Sequence, residues 1–179
     1  MKEQKEATAR PGDGISATRP AERDIVLRTR DDVCSTAVEL ARQANHVLLL
    51  HTMNLQAAIF DQRPFLDAVR RLVLDHHDAR FLILVHDGRK AIQQNNRLIE
   101  LSRRLSTQIQ FRRPADEHRG YYKTFLLTDR SGYLLCPLPG RYEGDAGFNN
   151  PGKVHDLRKY FMDVWEHAEP DMETRRLDL

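Results

Sequence analysis

The stretch Tyr121-Tyr122-Lys123-Thr124-Phe125-Leu126-Leu127-Thr128-Asp129-Arg130-Ser131-Gly132-Tyr133-Leu134-Leu135-Cys136-Pro137-Leu138 decides the fold. Two apolar runs, Tyr121–Thr128 and Tyr133–Leu138, flank Asp129-Arg130-Ser131-Gly132. That tetrapeptide has the composition of a tight turn, so the runs pair as an antiparallel hairpin. Upstream the pattern differs: short continuous apolar runs alternate with segments of helical period. Ile25-Val26-Leu27 reads as a short buried strand, and Thr29 with Asp32 reads as an N-cap with an acidic residue at N3. The helix that follows buries Val33, Ala37, Leu40, Ala41 and Ala44. Val47–His51 is the next strand, and Pro64 opens a helix carrying Phe65, Val69, Leu72 and Val73 inward. Phe81–Val85, a helix over Ala91–Leu105 and a strand over Gln108–Arg112 complete three β-α units. Continuous apolar strands separated by helices call for a parallel sheet covered on both faces. After the hairpin comes a long loop, Pro139–Asn150. Asn150 then caps a last helix with Pro151 at N1 and Val154, Leu157, Phe161, Val164 and Trp165 inward.

The expected fold is therefore α/β, a mainly parallel sheet with helices on both faces and a C-terminal antiparallel β-hairpin, in the order βαβαβαββα. With 179 residues, the chain holds one domain. Residues 1–23 contain Pro11, Pro20, Gly12 and Gly14 and almost no large apolar side chain, so they read as a disordered arm. The domain is expected over 24–169 and a polar tail over 170–179.

Charge narrows the function classes. Lys+Arg 28 against Asp+Glu 26 gives a net +2, which predicts no dedicated polyanion partner, though nucleic acid is not excluded. Six of the cations are Lys and the rest Arg, a bias suited to planar recognition of phosphate or carboxylate and also produced by GC-rich coding. No apolar run approaches the roughly 18–20 residues of a membrane span, and no secretory signal is visible, so a cytoplasmic location is expected. Cys34 and Cys136 form no metal or disulfide pattern and read as buried thiols.

Ligands of open α/β sheets collect beyond the carboxyl ends of the parallel strands. This chain places His51, His86 and Arg112 there. The returning hairpin begins at the same edge and adds His118, Tyr122 and Lys123, and the loop after the sixth strand is expected to bring Asn149 with the N-terminus of the last helix behind it. This edge is the expected site for a phosphate-bearing ligand. His76-His77-Asp78 reads as helix termination, not as a metal site, and no cofactor is expected. No GxSxG, P-loop or HExxH pattern is present.

Three β-α units followed by ββ resemble one half of the phospholipase D superfamily. Its signature is His-x-Lys-x4-Asp on the fifth strand with a Gly/Ser-Asn stretch after the sixth. In that signature the His attacks phosphorus and the Lys holds a phosphoryl oxygen. Anchoring on Asp129 puts Tyr122 at the His position and Thr124 at the Lys position; anchoring on Lys123 puts Tyr121 and Thr128 at the His and Asp positions. Neither register supplies the nucleophile. The segments Phe125–Gly132, Gly144–Pro151 and Phe161–Pro170 also resemble an uncharacterised proteobacterial domain related to that superfamily and sometimes found beside a GNAT acetyltransferase domain. The resemblance implies a phospholipase D-like fold, a homodimer wherever a two-half site is needed, and a possible acetyltransferase partner.

The expected function is a catalytically degenerate module that binds an anionic ligand or regulates a partner, with no catalytic residue assigned. His51, His86, Arg112, His118, Tyr122, Lys123, Asp129 and Asn149 are its expected ligand-binding residues. The alternatives are a phosphodiesterase or nuclease using His118 or His86 in a rearranged site, and a structural homodimerising domain.

Overall fold

The computed structural model describes residues 24–93, 96–118 and 120–170. The expected arm over 1–23 and the tail beyond 170 lie outside the described residues. In chain order the elements are β1 (Ile25–Leu27), α1 (Arg30–Gln43), β2 (Val47–Thr52), α2 (Ala57–Phe60), α3 (Arg63–Asp75) and β3 (Arg80–Val85). They continue as α4 (Arg89–Gln93), α5 (Arg97–Arg104), β4 (Ile109–Arg113), a 3-10 turn (Asp116–His118), β5 (Thr124–Thr128) and β6 (Gly132–Cys136), then β7 (Gly144–Gly147), α6 (Pro151–His167) and β8 (Glu169–Pro170).

The caps form as the sequence predicts. Thr29 Oγ1 accepts from Asp32 N–H at 3.1 Å while the Asp32 carboxylate accepts from Thr29 N–H at 2.9 Å, a reciprocal capping box. Asn150 Oδ1 accepts from Lys153 N–H at 3.0 Å and starts α6, with Pro151 at its first position. The helix expected over Ala91–Leu105 is instead two helices. Asn96 Oδ1 accepts from Leu98 N–H at 3.0 Å and starts α5 afresh, because a short amide side chain competes for the backbone N–H groups a continuous helix would use.

All eight strands form one sheet in the order β1-β7-β6-β5-β2-β3-β4-β8. Only β2–β3 and β3–β4 pair in parallel; the other neighbours are antiparallel, so the sheet is mixed, not mainly parallel. The correction comes from three strands, of which β8 pairs antiparallel with β4 although no strand was expected after the last helix. β1 lies at an edge against β7, with Val26 64% exposed and only Leu27 buried, so a three-residue apolar run marked an edge strand where a buried one was expected. β7 falls inside the expected loop, and its Gly-Asp-Ala-Gly carries too little apolar character to signal a strand.

The sheet separates two cores. Leu48, Leu50, Phe81, Ile83, Phe111 and Leu126 face the layer made by α1 to α5. Leu49, Leu84, Phe125, Leu127 and Leu135 face α6 through Phe161, Val164 and Trp165. Helices therefore cover both faces, as expected of an α/β layer fold. Gly144 is required where it stands, since a Cβ there would lie 2.0 Å from the Leu135 carbonyl oxygen.

Candidate functional site

The carboxyl ends of β2, β3 and β4 and the start of β5 form one edge, and the side chains that leave the sheet there on the α6 side make the candidate site. His51 ends the alternation Leu49, His51 on the face of β2 that α6 covers, and it is completely buried. Its Nδ1 lies 2.8 Å from the Lys123 carbonyl oxygen and its Nε2 lies 3.1 Å from His86 Nε2. The protons on this chain can be assigned from the partners. A carbonyl only accepts, so His51 Nδ1 donates. Burial pushes the His51 pKa down to about 4, which keeps the ring neutral and leaves Nε2 with its lone pair. His86 Nε2–H must then donate to His51.

An aromatic enclosure surrounds His51. Phe125 stacks on His51 with centroids 5.1 Å apart, and Tyr121 and Tyr160 meet its edge at 5.2 and 5.9 Å. Tyr121 and Tyr160 stack on each other at 4.1 Å, and His118 meets Tyr160 edge-on at 6.3 Å. Lys123, exposed at the rim, holds its Nζ 5.4 Å from the centre of the Tyr121 ring. Among the described residues the buried Tyr160 hydroxyl has no hydrogen-bond partner, and burial raises its pKa to about 12. A buried hydroxyl with no partner is an open donor and acceptor inside the enclosure.

His51, His86, His118 and Lys123 are thus brought together. Tyr122 stands at the same edge, half exposed, just before β5 begins at Thr124, whose side chain leaves the sheet on the face opposite Phe125. Thr124 is buried there, within 3.4 Å of Thr52 Oγ1 and accepting from Gln56 Nε2 at 3.3 Å. In the register anchored on Asp129, Thr124 at the Lys position therefore lies on the sheet face opposite the histidine dyad, whereas in the register anchored on Lys123 the residue at the His position, Tyr121, meets His51 on the dyad's own face.

Three expected ligand residues are engaged elsewhere. Arg112 reaches the edge, but its Nη1 donates to the Trp165 carbonyl at 2.8 Å and its guanidinium lies 4.5 Å from the Trp165 ring centre, so it fastens α6 to β4. Asp129 lies at the other end of the sheet, in the β5–β6 turn with φ 47, where its carboxylate accepts from the N–H groups of Asn45, His46 and Val47 at 2.8 to 3.0 Å. Asn149 and the N-terminus of α6 are at that far end too. β7 carries the chain back along β6 before α6 begins, and Asn150 N–H donates to Ser131 O at 2.7 Å in the hairpin turn. The anion site expected behind Asn149 is consequently not at the carboxyl edge.

Tyr160 was not among the expected site residues. Its spacing from Leu157 and Val164, i+3 and i+4, places it on the inward stripe of α6, which is the signal the sequence holds. Among the described residues no group of three or more His, Cys, Asp or Glu is arranged to hold a metal, and no helix is long and apolar enough to cross a membrane.

A mixed sheet with this order, covered by helices on both faces, is the fold of phospholipase D-like proteins. The chain resembles Nuc of Salmonella typhimurium, a phospholipase D family member, at TM-score 0.54 and 10% identity over 83% of this chain and 98% of that one. It resembles NucT of Helicobacter pylori at TM-score 0.53 and 12% identity over 83% of this chain and 97% of that one. It also resembles TrmBL2, an archaeal chromatin protein described with a novel mode of DNA binding, at TM-score 0.60 and 18% identity over 87% of this chain, which spans 56% of TrmBL2. At such identities these likenesses define the fold alone. Within that class the chain belongs to the family described as a domain of unknown function, DUF7931, whose model matches residues 29–177. No curated protein matches the sequence.

Proposed function

We propose that this protein is a phospholipase D-like domain without His–Lys nucleophilic chemistry, which binds a phosphate-bearing ligand at the carboxyl edge through His86, His118 and Lys123. The observation that carries the reading is the composition of that enclosure: three imidazoles, one exposed ammonium and an unpartnered Tyr160 hydroxyl around stacked Tyr121 and Tyr160. Lys123 supplies charge to an anion and the His86 and His118 rings supply N–H donors, while the neutral His51 fixes the His86 ring. The absent nucleophile supports binding over turnover: Tyr122 in one register and Tyr121 in the other stand where the signature has its His. A homodimer belongs to the same reading, because Tyr122 and Leu138, both about half exposed, sit together at this edge and offer apolar surface to a second copy.

Calorimetric titration with inorganic phosphate and pyrophosphate tests the proposal. Binding is expected, weakened at least tenfold by Lys123→Ala and by His118→Ala and unchanged by Asn149→Ala. No heat with either anion overturns it. Turnover of bis(p-nitrophenyl) phosphate that disappears in His118→Ala would replace it with the phosphodiesterase reading.

A further inference from the structure

On the other side of the sheet, α3 and α5 enclose a cleft of about 310 Å³. Arg63 and Arg70 line it from α3 and Arg97 and Arg104 from α5. Each pair is seven residues apart, so each lies on one helix face with its members about 10 Å apart along the axis. Four arginines thus line the cleft, two from each helix, together with the largely buried Leu66 and Leu101.

Their pairing within the chain is incomplete. Arg63 and Arg70 share one carboxylate, that of Asp67, each at 3.7 Å. That is well beyond the roughly 2.7–2.9 Å of a charge-assisted hydrogen bond, so neither planar fork is filled. The Arg104 guanidinium forms no hydrogen bond or ion pair among the described residues, and only Arg97 is fastened, to Asp61 through both backbone and side chain. Glu100 stands in the same lining. Exposed pairs at such distances hold their partners weakly and exchange them readily.

We propose that this cleft is a docking groove for an acidic segment of a partner protein, one that presents carboxylates to the arginine pairs and an apolar side chain to Leu66 and Leu101. The charge pattern selects this occupant. A strand of nucleic acid would set continuous phosphates against Asp67 and Glu100, whereas a polypeptide alternates carboxylates with apolar groups and N–H donors and complements a lining of mixed sign. The inference is independent of the histidine edge, which lies on the α6 face.

The test uses the full chain and a fluorescent helical peptide with glutamates seven residues apart on either side of a leucine, measured by anisotropy. Binding that weakens with salt is expected. The double substitution Arg70→Glu with Arg104→Glu reduces affinity at least tenfold, and Arg70→Gln with Arg104→Gln reduces it less. Lys123→Ala leaves it unchanged, which separates this groove from the phosphate-binding edge. Both arginine pairs are exposed, and an unchanged melting curve establishes that the variants fold. Absence of peptide binding at low ionic strength, or equal affinity in wild type and the double variant, overturns the proposal. So does binding of oligothymidylate that the same double variant abolishes, since it assigns the cleft to nucleic acid.

Discussion

His51 and His86 face each other through their Nε2 atoms at 3.1 Å, and the proton between them belongs to His86. The Lys123 carbonyl decides this by demanding the only N–H of the neutral His51 ring. A second proton on His51 would aim two donors at each other, so the dyad resists protonation at its buried member.

That constraint links stability to pH. The His51 pKa is about 4 in the fold against 6.5 in an open chain, chiefly through burial, so between those values the unfolded chain binds the additional proton. Stability is therefore complete above about pH 6.5 and falls as the pH drops towards 4, by about 3 kcal/mol in all. Urea unfolding at pH 7 and pH 4.5 should show that loss, and His51→Gln should flatten it. An imidazole titration of His51 near pH 6.5 by NMR would contradict the assignment.

Arg112 holds the end of α6 through the Trp165 carbonyl and ring. Arg112→Ala should destabilise by about 1–3 kcal/mol, with the lower melting temperature read by circular dichroism. Arg112→Lys recovers little, because an ammonium lacks the planar fork and stacking face. Phosphate affinity should stay within twofold of wild type in both variants, and a tenfold loss would return Arg112 to the ligand site.

Asp129 secures three successive backbone N–H groups at the start of β2, and its own carbonyl accepts from Arg158 Nη1 at 2.9 Å. Asp129→Ala leaves those donors unpaired and places an alanine at φ 47. The expected cost is about 2–4 kcal/mol in denaturant unfolding, with no change in ligand affinity.

The double substitution Tyr122→His with Thr124→Lys restores the family signature in sequence and should not restore activity. Position 124 is 2% exposed and packed between Thr52 and Gln56, so an added ammonium enters a closed polar contact. A destabilisation of about 2–4 kcal/mol and no diesterase turnover are expected from unfolding and chromogenic assays. A stable variant that turns over substrate would show the position to be an open active site.

Gly144→Ala should be among the most damaging single substitutions, because its Cβ would overlap the Leu135 carbonyl where β7 closes against β6. Loss of soluble expression, or a destabilisation above about 3 kcal/mol, is the expected result. A variant with wild-type stability would mean that β7 shifts freely.

The outline of the fold was legible where local chemistry dictates it. Thr29 with Asp32 and Asn150 with Pro151 mark helix starts because capping needs only the next few backbone N–H groups. The Asp129–Gly132 turn pairs β5 with β6 for the same reason. β7 was not legible, since Gly-Asp-Ala-Gly has too little apolar character to signal a strand and its glycines are required only by the close approach of Leu135 at Gly144 and of Asp24 and Tyr133 at Gly147. The edge position of β1 depends in turn on β7, so one unread strand changed both the sheet class and the whereabouts of Asn149.

What the sequence by itself determined is the kind of groups available: a phospholipase D-like order of elements, no His-x-Lys pair on β5, and histidines at the ends of β2 and β3. What only the tertiary structure decided is which of these groups meet. Strand alternation set His51 and Thr124 on opposite faces of one sheet, and α6 closed Tyr160 and Trp165 over the first of those faces. Arg112 met the Trp165 carbonyl and left the ligand edge, while His51, buried against Phe125, lost its charge and gave His86 a fixed proton. The physical reason is that burial and partner choice arise from residues distant in sequence, and these set the protonation and the freedom of a side chain.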